Sequence, residues 1–375
     1  MLSFKLSQEI AQSLHELNNS FARAYAQLTQ CSPETQAILH RYAKISMIGA
    51  STRIENAVLT DPEIDWMDTV LMQDGKPTAF STQKGWIENK LNKDKERSIE
   101  EVAGCRGMLA LIYSQAKEWI PLSETTLRGL HRELLLYYPK AEHYLGRYKK
   151  QSNSVVETNH STGAARLVFA TAEAGPITEA AMHDLVTWYN ETYAQEIGSV
   201  AVACELTYRF LAIHPFQDGN GRLGRGLFLL ALLQSPSDII STVVPFLAID
   251  RQIERKRSEY YYVLNRCSEG KYRRDPKQYH IEVFLQFMIK VLKESLDDIA
   301  VYQEKFLLLQ QLSESAYKVL ACFKEHPELR LTTLQISEMT SLPKRTISRC
   351  LSSLTEKKFI QRYGQKAGVR YQLIF

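Results

Sequence analysis

Two apolar runs, Val200 to Ile213 and Leu227 to Leu233, constrain the fold of this chain more than any other feature. Their hydrophobic residues recur at spacings that suit a helix better than a strand. The short segment between them contains Pro215 and Gly219, and both residue types are strong signals of turns. Because proline disfavours helical geometry in the residue before it, the first helix is expected to end at His214. The pattern therefore predicts two helices joined by a tight turn.

This turn brings together residue types that phosphoryl or nucleotidyl transfer requires. The imidazole of His214 has an ordinary pKa near 6.5, so it is a candidate base for an attacking hydroxyl. Gly219 and Gly221 flank Asn220 without side chains. Backbone N–H groups at the start of the second helix can therefore approach a phosphate closely, and the helix dipole favours that anion.

Three charged side chains accompany these groups. Asp218 offers a hard oxygen to Mg2+, which proteins usually bind through one or two carboxylates together with nucleotide phosphates. Arg222 and Arg225 lie one helical turn apart, so both can face a phosphate chain. Each residue alone has an ordinary explanation as a turn residue or a solvated face. Their occurrence together within residues 214–225 indicates a functional site.

The segment HPFQDGNGRLGR at residues 214–225 resembles the signature of the Fic family, H-P-F-x-[D/E]-G-N-G-R-x-x-R, at every specified position. The resemblance implies a helical enzyme that transfers AMP from ATP to a Tyr, Thr or Ser hydroxyl of a target protein. It also implies that His214 is the base, Asp218 the Mg2+ ligand and Phe216 the anchor of the loop. It further implies an anion hole formed by Gly219, Asn220 and Gly221. The β and γ phosphates would be bound by Arg222 and Arg225.

A candidate hairpin at about residues 152–170 precedes the motif. Strand-forming residues at 155–156 and 167–169 lie between turn-forming ones, which is typical of a hairpin. Fic proteins have a hairpin here, called the flap, that holds the target by strand addition. An ordinary surface hairpin is the alternative. The segment Ser154 to Phe169 is longer than a minimal flap, so its target-docking residues stay unassigned.

The segment Ser51 to Asn56 is similar to the Fic inhibitory motif, [S/T]-x-x-x-E-[G/N]. The resemblance implies that Glu55 reaches into the nucleotide pocket and pairs with Arg225, which then cannot hold the γ phosphate productively. A carboxylate and a guanidinium bind each other strongly where water is excluded. Two alternatives remain open: a surface acid near a helix end, or a residue that positions a water to remove AMP from the modified target.

A charged run from Asp250 to Arg257 leads into three consecutive tyrosines, residues 260–262. In Fic folds the corresponding helix lies near the adenine pocket. An aromatic of this run, with Tyr261 as the candidate, is therefore expected to pack against the base. Packing in the protein core is the equal alternative.

The C-terminal part of the chain has the pattern of a winged helix. Helical segments at 316–324, 334–339 and 344–357 are followed by strand-like segments at 360–363 and 370–375, which is the element order of this helix-turn-helix variant. The predicted recognition helix begins at Lys344, and Lys366 and Arg370 would place charge on the wing. The predicted core consists of Ile336, Ile347, Leu351, Leu354 and Ile360. DNA is one candidate partner, and protein docking or formation of a homodimer is the alternative.

These patterns predict a mainly α fold with three parts: an N-terminal helical region at 1–98, a Fic-type core at 99–295 and a winged helix at 310–375. A length of 375 residues suits two or three domains. The chain contains neither a long apolar run nor a signal peptide, so it is expected to be soluble and cytoplasmic, without a membrane partner. A net charge of +4 argues neither for nor against nucleic acid.

The sequence supports an ATP- and Mg2+-dependent protein adenylyltransferase that is restrained by Glu55, with the protein itself as one candidate acceptor. Related enzymes transfer phosphate, UMP or phosphocholine. The intact Gly219 to Arg222 segment favours adenylylation, because phosphate-transferring relatives typically replace the second glycine with a bulky basic residue. A rival from another class is a transcriptional regulator in which the core senses nucleotide and the winged helix acts on DNA.

Overall fold

The structure is a computed structural model that describes residues 1–73, 76–158, 165–195 and 198–374. Within these residues the chain is mainly helical, which confirms the predicted fold class. None of the helices in the described segments is both long and apolar enough to cross a membrane.

Helices make up most of the chain, and the strands occur in short antiparallel pairs. In chain order the helices are α1 (Gln8–Thr29), α2 (Pro33–Ile54), α3 (Asp61–Val70), α4 (Phe80–Leu91), α5 (Glu96–Gln115), α6 (Glu124–Leu135), α7 (Pro176–Thr192), α8 (Ser199–Ile213), α9 (Asn220–Leu233), α10 (Asp238–Val243), α11 (Ile249–Arg255), α12 (Arg257–Arg266), α13 (Ile281–Gln310), α14 (Glu314–Glu325), α15 (Thr333–Thr340) and α16 (Lys344–Glu356). The strand pairs are β1 (Met72–Gln73) with β2 (Lys76–Pro77), β3 (Val155–Thr158) with β4 (Ala165–Phe169), and β5 (Ile360–Tyr363) with β6 (Arg370–Leu373).

The chain divides into two compact units. The first unit comprises Met1–Ala57 and Glu100–Ala300, and the second comprises Val58–Ile99 and Val301–Phe375. The reason is the packing of the N-terminal helices. In the first unit α1 contacts α10 and α2 contacts α11, whereas in the second unit α3 contacts α14. The region 1–98 is therefore shared between the units.

The centre of the first unit is the pair α8 and α9, which confirms the two helices predicted around the motif. Nearly every side chain of both helices is buried, including polar ones such as Glu205 and Arg225. The two helices also pack directly against each other. Burial on all sides explains why both segments are continuous apolar runs rather than amphipathic patterns.

The predicted hairpin is present where its residues are described. In β3 and β4, Val156 pairs with Leu167 and Thr158 with Ala165, and the register shifts between Val155 and Val156. The predicted turn at residues 159–164 lies outside the described residues. Beyond β4, Ala170 continues the backbone pairing: its N–H donates to Gly270 O at 2.8 Å, and its carbonyl accepts from Tyr272 N at 2.7 Å.

The second unit contains the predicted winged helix, with α14, α15 and α16 followed by β5 and β6. Thr332 and Gln335 form a capping box at the start of α15, and Ser341 in the left-handed region ends that helix, so the turn into α16 is well defined. The predicted core residues are confirmed as part of one buried cluster, namely Ile336, Ile347, Leu351, Leu354 and Ile360.

Candidate active site

A sharp corner between α8 and α9 carries the motif. His214 ends α8 with a φ of 54°, and Gly219 precedes α9 with a φ of 78°. The loop is pinned from within, because the Asn220 side chain accepts from Phe216 N at 2.9 Å and donates to Phe216 O at 2.7 Å. Phe216 is fully buried and stacks on His131 with a centroid distance of 3.9 Å. The side chain of Asn220 thus fixes the loop, and only its backbone is left for an anion.

His214 is held as a neutral imidazole. Its Nδ1 lies 3.2 Å from Leu211 O, and an Nδ1–H that donates to this carbonyl leaves Nε2 as the proton acceptor. Burial lowers the pKa of His214 to about 4, although the contact with Leu211 and the nearby acids oppose that effect. At neutral pH the ring is therefore in the form that a general base requires.

The protonation of His214 gives a direct prediction. Because burial depresses its pKa, the ring is expected to stay neutral from about pH 8 down to about pH 5.5, in contrast to a free histidine. In protein labelled with 13C at histidine, the Cε1 resonance that disappears in His214→Ala should not shift over this range. A transition of that resonance near pH 6.5 would show that the ring is not desolvated as described.

Arg222 and Asp218 form the phosphate side of the corner. Asp218 Oδ1 accepts from Gly219 N at 2.6 Å and lies 3.7 Å from Arg222 Nη2. The guanidinium of Arg222 is 4% exposed, and its Nε and Nη1 are buried without a hydrogen-bond partner among the described residues. Buried donors of a charged group are costly to leave unpaired. They therefore indicate a place for an anionic ligand.

Glu55 occupies the space that Gly221 leaves. A Cβ at position 221 would overlap Glu55 Oε1, so a side chain there would displace the Glu55 carboxylate from its present position. The same oxygen is 3.0 Å from Arg225 Nη2. The expected pairing of Glu55 with Arg225 is thus present in the structure. Glu55 itself is 31% exposed, whereas Arg225 is 2% exposed.

Arg225 has two further partners to which the sequence assigned no role. Its Nε lies 3.3 Å from Asp250 Oδ2, and its Nη2 donates to Ser51 O at 2.8 Å. Burial disfavours the charged form of Arg225, but the carboxylates of Glu55 and Asp250 outweigh burial and raise its pKa. The one available signal was that Asp250 directly follows an apolar run, residues 243–249. A lone acid in such a place often has a buried partner.

Lys149 is another residue of the site that sequence reasoning missed. It is 2% exposed, and its Nζ donates to Asn153 Oδ1, Thr171 Oγ1 and Ile213 O at 2.8, 2.9 and 3.0 Å. Its backbone N–H also donates to Pro215 O at 2.8 Å. Burial among uncharged acceptors lowers the pKa of Lys149 to about 8. Lys149 links the base of the hairpin to the loop between α8 and α9. No local pattern in the sequence predicted this contact.

The motif residues line one cleft of about 280 Å³. Tyr260 and Tyr261 lie on its wall together with Phe169, and Tyr261 is 39% exposed. The structure therefore brings every predicted site residue to a single cavity, which is lined among others by Glu55, His214, Asp218, Gly219, Asn220, Gly221, Arg222, Arg225 and Tyr261.

The expected ligand of a divalent ion in this cleft is the carboxylate of Asp218, since the other carboxylate on its wall, Glu55, is paired with Arg225. Within the described segments no group of three or more potential metal-ligating side chains is found. Mg2+ differs from zinc in needing no such group, because water and substrate phosphates complete its shell. Asp218 is partly exposed, and its contacts with Gly219 N and Arg222 Nη2 both involve Oδ1. The donor set therefore fits Mg2+ when it is bound together with a nucleotide.

Sequence comparisons agree with this geometry. Residues 121–232 match the profile of the Fic/DOC family, and residues 315–364 match that of the IclR helix-turn-helix domain. Over 228 residues the chain is 29% identical to Protein adenylyltransferase Fic of Drosophila melanogaster, and this alignment covers 60% of this chain and 39% of that protein. It is 30% identical over 120 residues to Protein adenylyltransferase fic-1 of Caenorhabditis elegans, and this alignment covers 32% of this chain and 22% of that protein. The chain spans well under half the length of these curated relatives.

Solved structures share the fold. A Fic family protein from Desulfovibrio desulfuricans matches with a TM-score of 0.56 and 20% identity, over 100% of this chain and 98% of the other. A Fic domain containing signaling protein from Bacteroides thetaiotaomicron matches with a TM-score of 0.57 and 24% identity, over 78% and 97%. At these identities the likeness concerns the fold alone.

Proposed function

We propose that this chain, whose residues 121–232 match the profile of the Fic/DOC family, is a protein adenylyltransferase that uses ATP. The observation that carries the proposal is that Arg222, whose buried Nε and Nη1 have no hydrogen-bond partner among the described residues, lines the same cleft as His214. An anion bound beside Arg222 at the start of α9 would share this cleft with the neutral imidazole of His214. The adenylyltransferase names of the curated relatives support the same reaction.

The proposed mechanism is an in-line displacement at the α phosphorus of ATP. The oxygen of an acceptor Tyr, Thr or Ser attacks, and His214 Nε2 takes the hydroxyl proton. The new O–P bond forms as the bond to the bridging oxygen breaks, and pyrophosphate leaves with that electron pair. Backbone N–H groups at Asn220 and Gly221, together with Arg222, stabilise the charge that develops on the phosphoryl oxygens. Mg2+, held by Asp218, would neutralise phosphate charge when bound.

The hairpin at β3 and β4 is proposed to present the acceptor. Its edge can pair with an extended segment of a target protein, as in other cases of strand addition. The base of the hairpin is fixed to the catalytic loop by Lys149 and by Asn153 Nδ2, which donates to His214 O at 3.1 Å. A segment that is bound along the hairpin is thereby positioned relative to His214. The protein's own hydroxyl groups are further candidate acceptors.

Glu55 is proposed to restrain the enzyme. Its carboxylate fills the space beside Gly221 and binds Arg225, which are the positions that a γ phosphate would use. The nucleotide and Glu55 then compete for one guanidinium, and productive binding requires Glu55 to leave. A second role for the same carboxylate is to orient a water that hydrolyses the AMP ester. Release of AMP from a purified modified target, in wild type but not in Glu55→Gly, would support this hydrolytic role.

Two forms of labelled ATP test the type of group transfer. The Glu55→Gly variant is incubated with Mg2+ and ATP that carries the label on either the α or the γ phosphate. Adenylylation predicts that only the α label enters protein. Incorporation of the γ label alone would replace the proposal with phosphate transfer. Incorporation from labelled UTP or CDP-choline, with none from ATP, would favour the other relatives of this fold.

A second candidate function, DNA binding, rests on the face formed by α16 and the wing. The match of residues 315–364 to a helix-turn-helix domain favours it. Residues 344–374 contain a single acidic residue, Glu356 at the end of α16. Their exposed basic side chains are Lys344, Arg345, Arg349, Lys358, Arg362, Lys366 and Arg370. A strongly cationic face of this kind suits a phosphate backbone.

Salt dependence distinguishes DNA binding from protein docking. The affinity of the full chain for duplex DNA is expected to fall steeply with salt, and Arg345→Ala/Arg349→Ala should lower the slope of log K against log salt by about 2. Lys318→Ala is the matched control, because Lys318 is 57% exposed but pairs with Glu314 on α14. Absence of binding at low salt, or equal loss in the control, would reject this function. A DNA affinity that ATP alters without a covalent product would favour the nucleotide-sensing regulator.

A further inference from the structure

The charged run after Asp250 contacts the segment that carries Glu55. On α11, Glu254 Oε1 and Oε2 accept from Nε and Nη2 of Arg53 at 2.7 and 3.0 Å. At the start of α12, Arg257 Nη2 donates to Asn56 Oδ1 at 2.9 Å. These two contacts, which we call the clasp, hold the residues on both sides of Glu55.

The clasp compensates for the weak local restraint on Glu55. Glu55 caps the end of α2, is 31% exposed, and reaches Arg225 through one carboxylate oxygen. Asn56 follows with a φ of 74°, so the chain leaves the helix immediately after Glu55. A partly exposed side chain at a helix end samples several rotamers unless its backbone is fixed. Backbone hydrogen bonds from Glu55 N to Thr52 O and from Asn56 N to Arg53 O hold the helix end itself. The bidentate pair at Arg53 and the amide contact at Asn56 then anchor this helix end to α11 and α12.

Neither Glu254 nor Arg257 lines the nucleotide cleft. Glu254 contacts Arg53, and both side chains are partly exposed, at 28% and 24%. Asp250 belongs to the same run but binds Arg225 directly, so it is part of the phosphate site and not of the clasp. Asp250, Glu254 and Arg257 thus follow one another along α11 and α12. Asp250 contacts Arg225, whereas Glu254 and Arg257 contact the segment that carries Glu55.

We infer that Glu254 and Arg257 are positioning residues for Glu55: they set the fraction of molecules in which Glu55 occupies the phosphate position beside Arg225. The inference rests on the proposed adenylyltransferase function. Loosening the clasp frees Arg225 for the γ phosphate, so it raises nucleotide affinity. A protein or ligand that engages the partly exposed Arg53 and Glu254 pair would have the same effect.

The test measures AMP transfer and the KM for ATP in two backgrounds. Glu254→Gln removes the charge of the pair but keeps its size. In the wild-type background it is expected to raise kcat/KM for ATP about two- to fivefold, which is the range of a partly exposed ion pair, and to do so through KM. In the Glu55→Gly background the same substitution is expected to change nothing, because the residue that the clasp positions is gone.

Two further variants serve as a second probe of the clasp and as a control. Asn56→Gly removes the acceptor of Arg257 and tolerates the positive φ, so it should give the same background-dependent gain if Glu254→Gln folds poorly. Glu16→Gln is the control, because it breaks an ion pair with Lys293 on α13 that lies 2.9 Å apart without touching α2. Thermal melting of each variant verifies that the fold is retained.

The outcomes separate the clasp from the proposed function. A gain in wild type that is absent in Glu55→Gly supports the clasp. An active Glu55→Gly enzyme with no gain from either clasp variant in the wild-type background overturns it. An equal gain in both backgrounds also overturns it, since the effect would not pass through Glu55. An inert Glu55→Gly enzyme, tested with α-labelled ATP, overturns the adenylyltransferase proposal and the clasp together.

Discussion

Replacing His214 with alanine is expected to lower AMP transfer about 10²- to 10⁴-fold, the usual range for loss of a general base. The reason is that the neighbouring side chains of the corner have other roles: Arg222 and Arg225 are cationic, and Asn220 is bonded to the loop backbone. Asp218 accepts from Gly219 N and is the proposed Mg2+ ligand. The effect should appear in kcat rather than in KM, because His214 acts on the acceptor proton and not on the nucleotide. The measurement compares Glu55→Gly with Glu55→Gly/His214→Ala, using α-labelled ATP.

The control for this experiment is His183→Ala. His183 lies on α7, is 76% exposed, and does not line the cleft. Its variant should retain the activity of the parent. A circular dichroism spectrum and a melting curve that match the parent show that His214→Ala leaves the fold intact. Transfer within threefold of the parent in His214→Ala would remove His214 from the mechanism.

Replacing Glu55 with glycine is expected to raise AMP transfer about 10- to 100-fold. A hydrogen bond to a charged group contributes about 1.5–3 kcal/mol, and this corresponds to a change in occupancy of that size. The substitution also leaves room beside Gly221, where Glu55 Oε1 now lies. Asp250 and Ser51 still hold Arg225 after the change, so the guanidinium stays in position for the phosphate. The rate of α-label incorporation measures the gain.

A matched glycine variant guards against a general loosening of the chain. Glu269 has a φ of 55° and a side chain that is 83% exposed, so Glu269→Gly removes a glutamate without strain and away from the cleft. It should transfer AMP at the wild-type rate. Equal rates in wild type and Glu55→Gly would refute the restraint by Glu55 and leave its contact with Arg225 as a purely structural ion pair.

Local patterns in the sequence were sufficient to predict the helical architecture and the corner that brings the motif residues together. The apolar runs around residues 214–225 predicted α8 and α9, because a helix that is buried on all sides needs apolar residues throughout. The winged helix was predicted from its element order, and its core residues are buried as expected. The corner could be predicted because its residues follow one another in the sequence, so their proximity in space follows from local chain geometry. Its chemistry depends on neighbours within one or two helical turns.

Contacts between distant segments could not be read from the sequence in the same way. Asp250 meets Arg225, and Lys149 meets Ile213 O, only because separate helices and loops pack together. The pairing of Glu55 with Arg225 followed from a family resemblance and not from spacing. The division of residues 1–98 between two units also depends on tertiary packing: α2 packs on α11 in one unit, and α3 on α14 in the other.

The same limit applies to conformation at single residues. Proline at 215 correctly marked the end of α8, but the usual preference of a residue before proline is extended. His214 instead adopts a φ of 54° and a ψ of 58°. In this conformation its N–H still bonds to Phe210 O at 2.9 Å, and its Nδ1 lies near Leu211 O. The hydrogen bonds of the helix end therefore override the local preference and orient the imidazole.

The most direct test of the central claim is the intact mass of the protein after incubation with ATP and Mg2+. Glu55→Gly is compared with wild type and with Glu55→Gly/His214→Ala, in the presence of a candidate target and alone. A mass gain of one AMP on the target or on the chain itself is expected in Glu55→Gly, with little gain in wild type and none in the double variant. A gain of one phosphate, or a gain of AMP that persists without His214, would contradict the proposal.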